Sequence, residues 1–245
     1  MAIATLVVSV RIAPIFAFAP PFSMMRIPAL IRIMLSLALA GWIVTSLPVA
    51  QIEEIAAPDR YIQTAMGEAL IGLSIAMALS IAFAAILMTG RAIDIQAGFG
   101  LAMLIDPNTR AQNPLIGTIM AYGAALTFFA AGGAGELLVV TARTLETLPP
   151  GSAYWLWSPA NLAAYLSSIF ILTLALGGIL LLTLFLVDLS VAFMSRTMPQ
   201  MNVLLIGFQA KALATLMMLP LAIGLSGTIF LRIVRFALET LAART

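Results

Sequence analysis

Four ionisable side chains interrupt the apolar runs of this sequence, and they are the first places where chemistry could occur. They are Arg11, Arg32, Glu68 and Lys211. A charge at the centre of an apolar helix costs about 2.5–3.5 kcal/mol on insertion scales, so these groups must be paired, covered by protein or close to a helix end. Neighbouring cations and a carboxylate can relay protons, or can form salt bridges at contacts between helices or subunits. We favour salt bridges, because we find no second buried carboxylate and no histidine to carry a proton onward.

The residue types that most enzymes use for catalysis are missing from this chain. It has no Cys and no His, which removes thiol nucleophiles, disulfides, imidazole bases and the usual ligands of zinc, haem and iron–sulfur clusters. An intramembrane enzyme would have to rely on Ser, Lys or carboxylates, and the serines show no base at a recognisable spacing. We therefore predict that the protein is not an enzyme and that it holds no metal and no cofactor.

The composition is that of a membrane protein. Of 245 residues, 62% are hydrophobic and 9% are charged, whereas globular chains have about 45–50% and about 25%. A chain of this length cannot hide so many apolar side chains in its own core, so part of them must face lipid or other proteins. The net charge of +2 comes from 12 basic and 10 acidic residues, and so thin a margin predicts no nucleic-acid partner.

Six apolar runs are long enough, or nearly long enough, to cross a bilayer as helices. They cover residues 2–18, 27–50, 66–88, 115–131, 162–187 and 203–231. Helix is the one open-ended element that lipid tolerates, so the predicted fold class is all-α, with polytopic apolar helices. The predicted connectors are residues 20–28, 51–60, 90–114, 132–159 and 188–202, and the segment 132–159 contains an interfacial or protein-covered helix. No sequence period repeats, which predicts one structural unit from residue 1 to 245.

The connector after residue 105 carries a polar segment that begins at Asp106 and ends at Pro114. Proline near each end prevents this segment from simply continuing the helix before it. It is either an ordinary surface turn or a re-entrant loop. A re-entrant loop is possible at membrane depth only inside protein or beside a water-filled path.

Three motifs in order resemble the FliR family of the flagellar type III export apparatus. Residues 11–22 read RIAPIFAFAPPF and residues 27–33 read IPALIRI. A central motif follows at 96–107, QAGFGLAMLIDP, with NPL at 113–115. The last is RTMPQMNV at 196–203, with IGF at 206–208 and Lys211. Within these motifs, the resemblance marks six residues as family-motif residues: Pro20, Pro28, Pro199, Gln200, Asn202 and Gly207.

The resemblance implies a FliR-like architecture and a place in an export gate. It divides the chain into a FliP-like part, residues 1–160, and a FliQ-like helical hairpin, residues 161–245, joined through Pro199 and Gln200. It implies one copy per complex, with several copies of FliP and FliQ and with FlhB and FlhA nearby. It places the complex in the bacterial inner membrane, within the flagellar basal body. Unfolded rod, hook and filament subunits would pass through the channel.

A FliR-type loop closes the channel at rest, and the polar central segment matches its place. The residues that the resemblance assigns to this gate loop are Leu104, Asp106, Pro107, Asn108, Thr109, Arg110, Gln112, Asn113 and Pro114. The four charges within the apolar runs, Arg11, Arg32, Glu68 and Lys211, are interpreted as assembly residues with buried charge.

Two alternatives stay open. The injectisome relatives of FliR, the SctT/SpaR proteins, usually have Asn-Gln-Arg after the aspartate, whereas Asp106-Pro107-Asn108 is nearer the flagellar form. The alternative of a different class is a secondary transporter that uses Glu68 and the buried cations for proton coupling. Such carriers commonly contain internal repeats, and the sequence shows none.

Overall fold

The computed structural model describes residues 1–55, 61–99, 114–148, 156–198 and 203–242, and within these ranges the fold is all-α, as predicted. The eight α-helices are α1 (Ala2–Phe18), α2 (Ala29–Thr45), α3 (Val49–Ile55), α4 (Tyr61–Ala97), α5 (Leu115–Ala130), α6 (Gly133–Thr147), α7 (Pro159–Thr197) and α8 (Val203–Ala242). A 3₁₀ turn at Phe22–Met24 follows α1. The peptide bond between Pro20 and Pro21 is cis.

Each of the six apolar runs forms a helix, but three of the predicted connectors were partly wrong. Helix α3 extends into the connector 51–60 as far as Ile55, α4 continues to Ala97 and α7 continues to Thr197. The error has one cause: charged residues were taken as marks of helix ends. Within α4, Arg91 is exposed and Asp94 is buried with a hydrogen-bond partner, so neither residue needs to end the helix.

Three helical segments are long and apolar enough to cross a membrane, namely α4, α7 and Leu205–Gly224 within α8. Helices α5 and α6 meet the same test only as one bent pair. Helices α1 and α2 have 17 residues each, which is short of the roughly 20 that span a bilayer. Of the six candidate runs, the described residues thus give three that meet the test alone and a fourth that meets it as part of the bent pair. Helices α4, α7 and α8 are about 55–60 Å long at helical rise, well beyond the roughly 30 Å of a hydrocarbon core.

The chain forms two compact units, and the first comprises Met1–Ala82, Phe128–Leu166 and Val234–Thr245. Helices α1 and α2 share an apolar core that includes Val8, Ile12 and Val44, all nearly without exposure. Phe16 also belongs to this core, and its ring packs edge to face on the ring of Phe22 with centroids 4.9 Å apart.

The second unit comprises Phe83–Thr127 and Ser167–Ile233. Its helices meet at glycines, because a residue without a side chain lets two backbones approach closely. Helix α4 contacts α5 at Gly90, where an added Cβ would overlap the Cα of Gly117. At Gly177 of α7, an added Cβ would overlap the methyl group of Thr89 in α4.

Candidate functional site

The first unit contains a fully buried ion pair between α1 and α4. The Nε of Arg11 donates to Oε2 of Glu68 at 2.6 Å, and its Nη2 donates to Oε1 at 2.8 Å. Both side chains have zero exposure. Both carboxylate oxygens are thus held by one guanidinium, in the two-pronged geometry that suits arginine and a carboxylate.

Helix α6 and the residue that follows it supply the other hydrogen-bond acceptors of this guanidinium. Its Nη1 donates to Oγ1 of Thr144 at 2.9 Å, and Nη2 also reaches the carbonyl oxygen of Leu148 at 3.4 Å. Gly72 makes the approach of α1 and α4 possible, because a Cβ there would overlap the carbonyl oxygen of Arg11. The cluster of Arg11, Glu68 and Thr144 therefore fastens three helices at one buried point.

Arg32 has a different role from Arg11, since it bonds only to backbone. It is half-buried and donates to the carbonyl oxygens of Ala17, at 3.2 Å, and Met25, at 3.0 Å. The Ala17 carbonyl is one of the last in α1, and such carbonyls have no partner inside their own helix. Arg32 therefore fastens the turn between α1 and α2 and satisfies an otherwise free carbonyl there.

Lys211 of α8 forms an ion pair with Asp188 of α7 within the second unit. The Lys211 side chain is 23% exposed and that of Asp188 is 41% exposed. The pair thus lies at the surface of the chain, and not in its interior, in contrast to Arg11 and Glu68.

The start of α5 is capped by a side chain from α4. The Asp94 carboxylate accepts the backbone N–H of Ile116 at 3.1 Å through Oδ1 and 3.2 Å through Oδ2. Asp94 is only 4% exposed. It is a second buried carboxylate, so the expectation from the sequence that Glu68 has no buried counterpart was wrong.

Most of the predicted gate loop, residues 104–113, lies outside the described residues. Of the residues assigned to it, the structure describes Pro114, which is buried and directly precedes α5. The carbonyl of Pro114 accepts the backbone N–H of Thr118 at 2.9 Å, as expected at the first turn of a helix.

The predicted motif residues fall partly within the described ranges. Pro20 is half-buried in the turn after α1, Pro28 directly precedes α2, and Gly207 lies in α8 against Val191 of α7. The remaining three, Pro199, Gln200 and Asn202, lie outside the described residues. One residue beyond Gly207, the ring of Phe208 packs on Gly98, where an added Cβ would lie 2.8 Å from ring carbons.

Many large apolar side chains are exposed on the isolated chain. On α7 and α8 they include Phe170, Ile171, Leu182, Phe185, Phe193, Leu213 and Met217. On α2 they include Leu30, Met34 and Trp42. Exposed apolar surface of this extent marks contact with lipid or with other proteins. Within the described ranges, no three acidic side chains lie close enough together to hold a metal ion.

The sequence matches one protein family over nearly its whole length. The family is described as bacterial export proteins, family 1, and the match covers residues 2–237. The chain belongs to this family. It is a membrane protein of a bacterial export apparatus, and the resemblance to FliR drawn from the three motifs is confirmed.

Individual relatives agree with the family match. The chain is 29% identical to the flagellar biosynthetic protein FliR of Bacillus subtilis over 97% of its own length and 93% of the relative's. Identity to FliR of Escherichia coli is 28%, over 81% of this chain and 76% of the relative. The secretion system apparatus protein SsaT of Salmonella typhimurium is 24% identical over 62% of this chain and 60% of the relative.

Sequence reasoning missed three members of these sites, namely Asp94, Thr144 and Asp188. Asp188 and Asp94 were assigned to connectors, and Thr144 is uncharged. A signal for Asp94 did exist. An acidic side chain in the last turn of a helix opposes the helix dipole, so an aspartate three residues before the end of α4 indicates a partner elsewhere.

Proposed function

We propose that this chain is a channel-forming subunit of the flagellar type III protein export gate. It would pass unfolded rod, hook and filament subunits across the bacterial inner membrane, within the flagellar basal body. The observation that carries the proposal is the match to FliR of Bacillus subtilis across 97% of this chain and 93% of the relative. The flagellar assignment is favoured over the injectisome one because SsaT aligns over only 60% of its length.

The partners in this proposal are FliP and FliQ, with FlhB and FlhA nearby. Support comes from the exposed apolar side chains of α7 and α8, which need covering by lipid or protein. These two helices are the proposed FliQ-like hairpin, residues 161–245, following the FliP-like part, residues 1–160. The excess length of α4, α7 and α8 over a hydrocarbon core favours a chain that is covered partly by neighbouring subunits.

The proposed activity is transport without catalysis. In a secondary transporter, Glu68 would have to exchange protons with a water-filled path. Both of its oxygens instead accept hydrogen bonds from Arg11, and its side chain has zero exposure. A carboxylate held in this way belongs to a structural ion pair. This argues against the transporter alternative, which requires Glu68 to carry protons.

The first test is native mass spectrometry of the chain co-expressed with its own FliP and FliQ and purified in mild detergent. We expect one copy of this chain in a large mixed complex. A chain that remains alone, or that forms only homo-oligomers, would remove the proposal.

The gate loop, residues 104–114, is tested by deleting residues 108–112. We expect the assembled complex, reconstituted in vesicles, to release a trapped small dye faster than the unaltered complex. The matched control replaces the same five residues with Gly and Ser, which keeps the length of the loop. An unchanged leak in an assembled deletion complex would exclude a closing role for this segment.

A further inference from the structure

The contact between Asp94 and α5 lies where the two helices that flank the gate loop meet. We call Gly90, Asp94, Ile116 and Gly117 the α4–α5 stem. Gly90 and Gly117 bring the two backbones into direct contact, and Asp94 lies one turn further along α4. The stem is therefore held by two separate contacts, one of van der Waals packing and one of hydrogen bonding.

Helix α5 needs a cap from outside because its own sequence supplies none at the preceding position. Pro114 comes directly before Leu115, and a proline side chain has no oxygen to accept an N–H. The first backbone N–H groups of a helix have no partner within that helix and must be satisfied by other groups. The Asp94 carboxylate accepts the N–H of Ile116 and also lies near those of Leu115 and Gly117.

The negative charge of Asp94 is matched by backbone groups. Within the described parts of the chain, the ion pairs join Arg11 to Glu68 and Lys211 to Asp188, and Asp94 belongs to neither. A carboxylate at a helix N-terminus interacts favourably with the helix dipole, whereas near the end of α4 it is disfavoured. The position of Asp94 is thus explained by what it does for α5.

We propose that Asp94 is a positioning residue for the closed channel. Its carboxylate fixes where the chain enters α5 relative to where it leaves α4, and so sets the anchor points of the segment between the two helices. This inference rests on the proposed function, in which that segment carries the gate loop. Loss of the carboxylate leaves the N–H groups of α5 without partners and leaves the stem held by the glycine contact alone.

The experiment combines a structural readout with a transport readout. The chain has no native cysteine, so cysteines at Met88 and Tyr122, both exposed, can carry spin labels without other substitutions. The distance distribution between the labels is measured in the full chain in detergent. Dye release is measured on the complex with FliP and FliQ in vesicles.

Three variants are compared in both measurements. Asp94→Ala removes the cap, while Asp94→Asn keeps one acceptor oxygen and nearly the same shape, which guards against simple misfolding. Arg91→Gln is the matched control, because Arg91 is exposed on the same helix one turn earlier. For Asp94→Ala we expect a broader distribution of distances between the labels and about fivefold faster dye release. The factor is the change in an equilibrium constant that corresponds to loss of an ordinary helix cap. In both measurements, Asp94→Asn should give values between those of Asp94→Ala and the unaltered chain, and Arg91→Gln should match the unaltered chain.

Two results would overturn the inference. One is a label distribution for Asp94→Ala that is the same as that of the unaltered chain. The other is a broadened distribution with no faster release, in a preparation where deletion of residues 108–112 does leak. If that deletion itself does not leak, the closing role in the proposed function fails, and the label distances alone then decide whether Asp94 positions the stem.

Discussion

For the buried pair of Arg11 and Glu68, we predict that two substitutions together lower the stability of the chain less than either substitution alone. Glu68→Gln leaves a guanidinium without a counter-charge in a site with zero exposure. Arg11→Met leaves a carboxylate in the same position. The double variant, Arg11→Met with Glu68→Leu, removes both charges and fills the space with apolar side chains of similar size.

The expected size of these effects follows from the geometry. Breaking a fully buried pair from one side costs about 3–5 kcal/mol, whereas replacing both partners by apolar groups is often neutral or stabilising. For a chain of this length, 1 kcal/mol corresponds to about 2–4 °C in the midpoint of thermal unfolding. Each single variant should therefore melt about 6–20 °C lower, and the double variant should melt close to the unaltered chain.

The assay is thermal unfolding of the purified chain in detergent, followed by the fluorescence of its Trp residues. Arg143→Met is the control, because Arg143 is an exposed arginine of α6, and it should change the midpoint by no more than about 2 °C. Exchanging the two charges should restore only part of the loss, since a carboxylate at position 11 would face the carbonyl oxygen of Leu148. A double variant that melts as low as the worse single variant would refute the reasoning, because the loss would then come from packing and not from an unpaired charge.

Three further predictions concern single contacts. Gly72→Ala should lower recovery of the complex with FliP and FliQ, because its Cβ would overlap backbone, whereas Gly135→Ala in α6 has open space and should leave recovery unchanged. Tyr165→Phe should destabilise the chain by about 1 kcal/mol in thermal unfolding, since the hydroxyl donates to a carbonyl of α4 at 2.8 Å. Lys211→Ala should reduce recovery of the complex, although a half-exposed ion pair contributes at most about 1 kcal/mol within the chain; normal recovery with lost secretion would point to a role in transport.

The helices could be predicted from the sequence because long apolar runs leave few other structures open to the backbone. Their ends could not, since helix ends depend on what the flanking polar residues contact. The extra turns of α4 contain Arg91 and Asp94, one exposed and one bonded to the start of α5. The local sequence gives one hint, because an acidic residue near the end of a helix is disfavoured there, but it does not identify the partner of Asp94.

The buried charges were recognised from the sequence, but their partners were not determined. From the sequence, Glu68 can pair with Arg11 or with Arg32, because the sequence does not give the distance from Glu68 to either arginine. The structure pairs Glu68 with Arg11, which lies 57 residues away, and turns Arg32 toward backbone carbonyls. Gly72 explains part of this choice, because it brings α1 close enough to α4 for a two-pronged contact.

Among the described residues, the buried carboxylates are Glu68 and Asp94, and each lies on α4 four residues from a glycine that contacts the same neighbouring helix. Inserting or deleting a single residue between Glu68 and Gly72 would rotate one of them by about 100° relative to the other, so that either the ion pair with Arg11 or the close contact with its backbone would be lost. The same change between Gly90 and Asp94 would remove one of the two contacts with α5, so both of these short spacings are fixed by a single neighbouring helix. The two spacings of four residues, from Glu68 to Gly72 and from Gly90 to Asp94, are thus features by which distant relatives of the same architecture can be aligned.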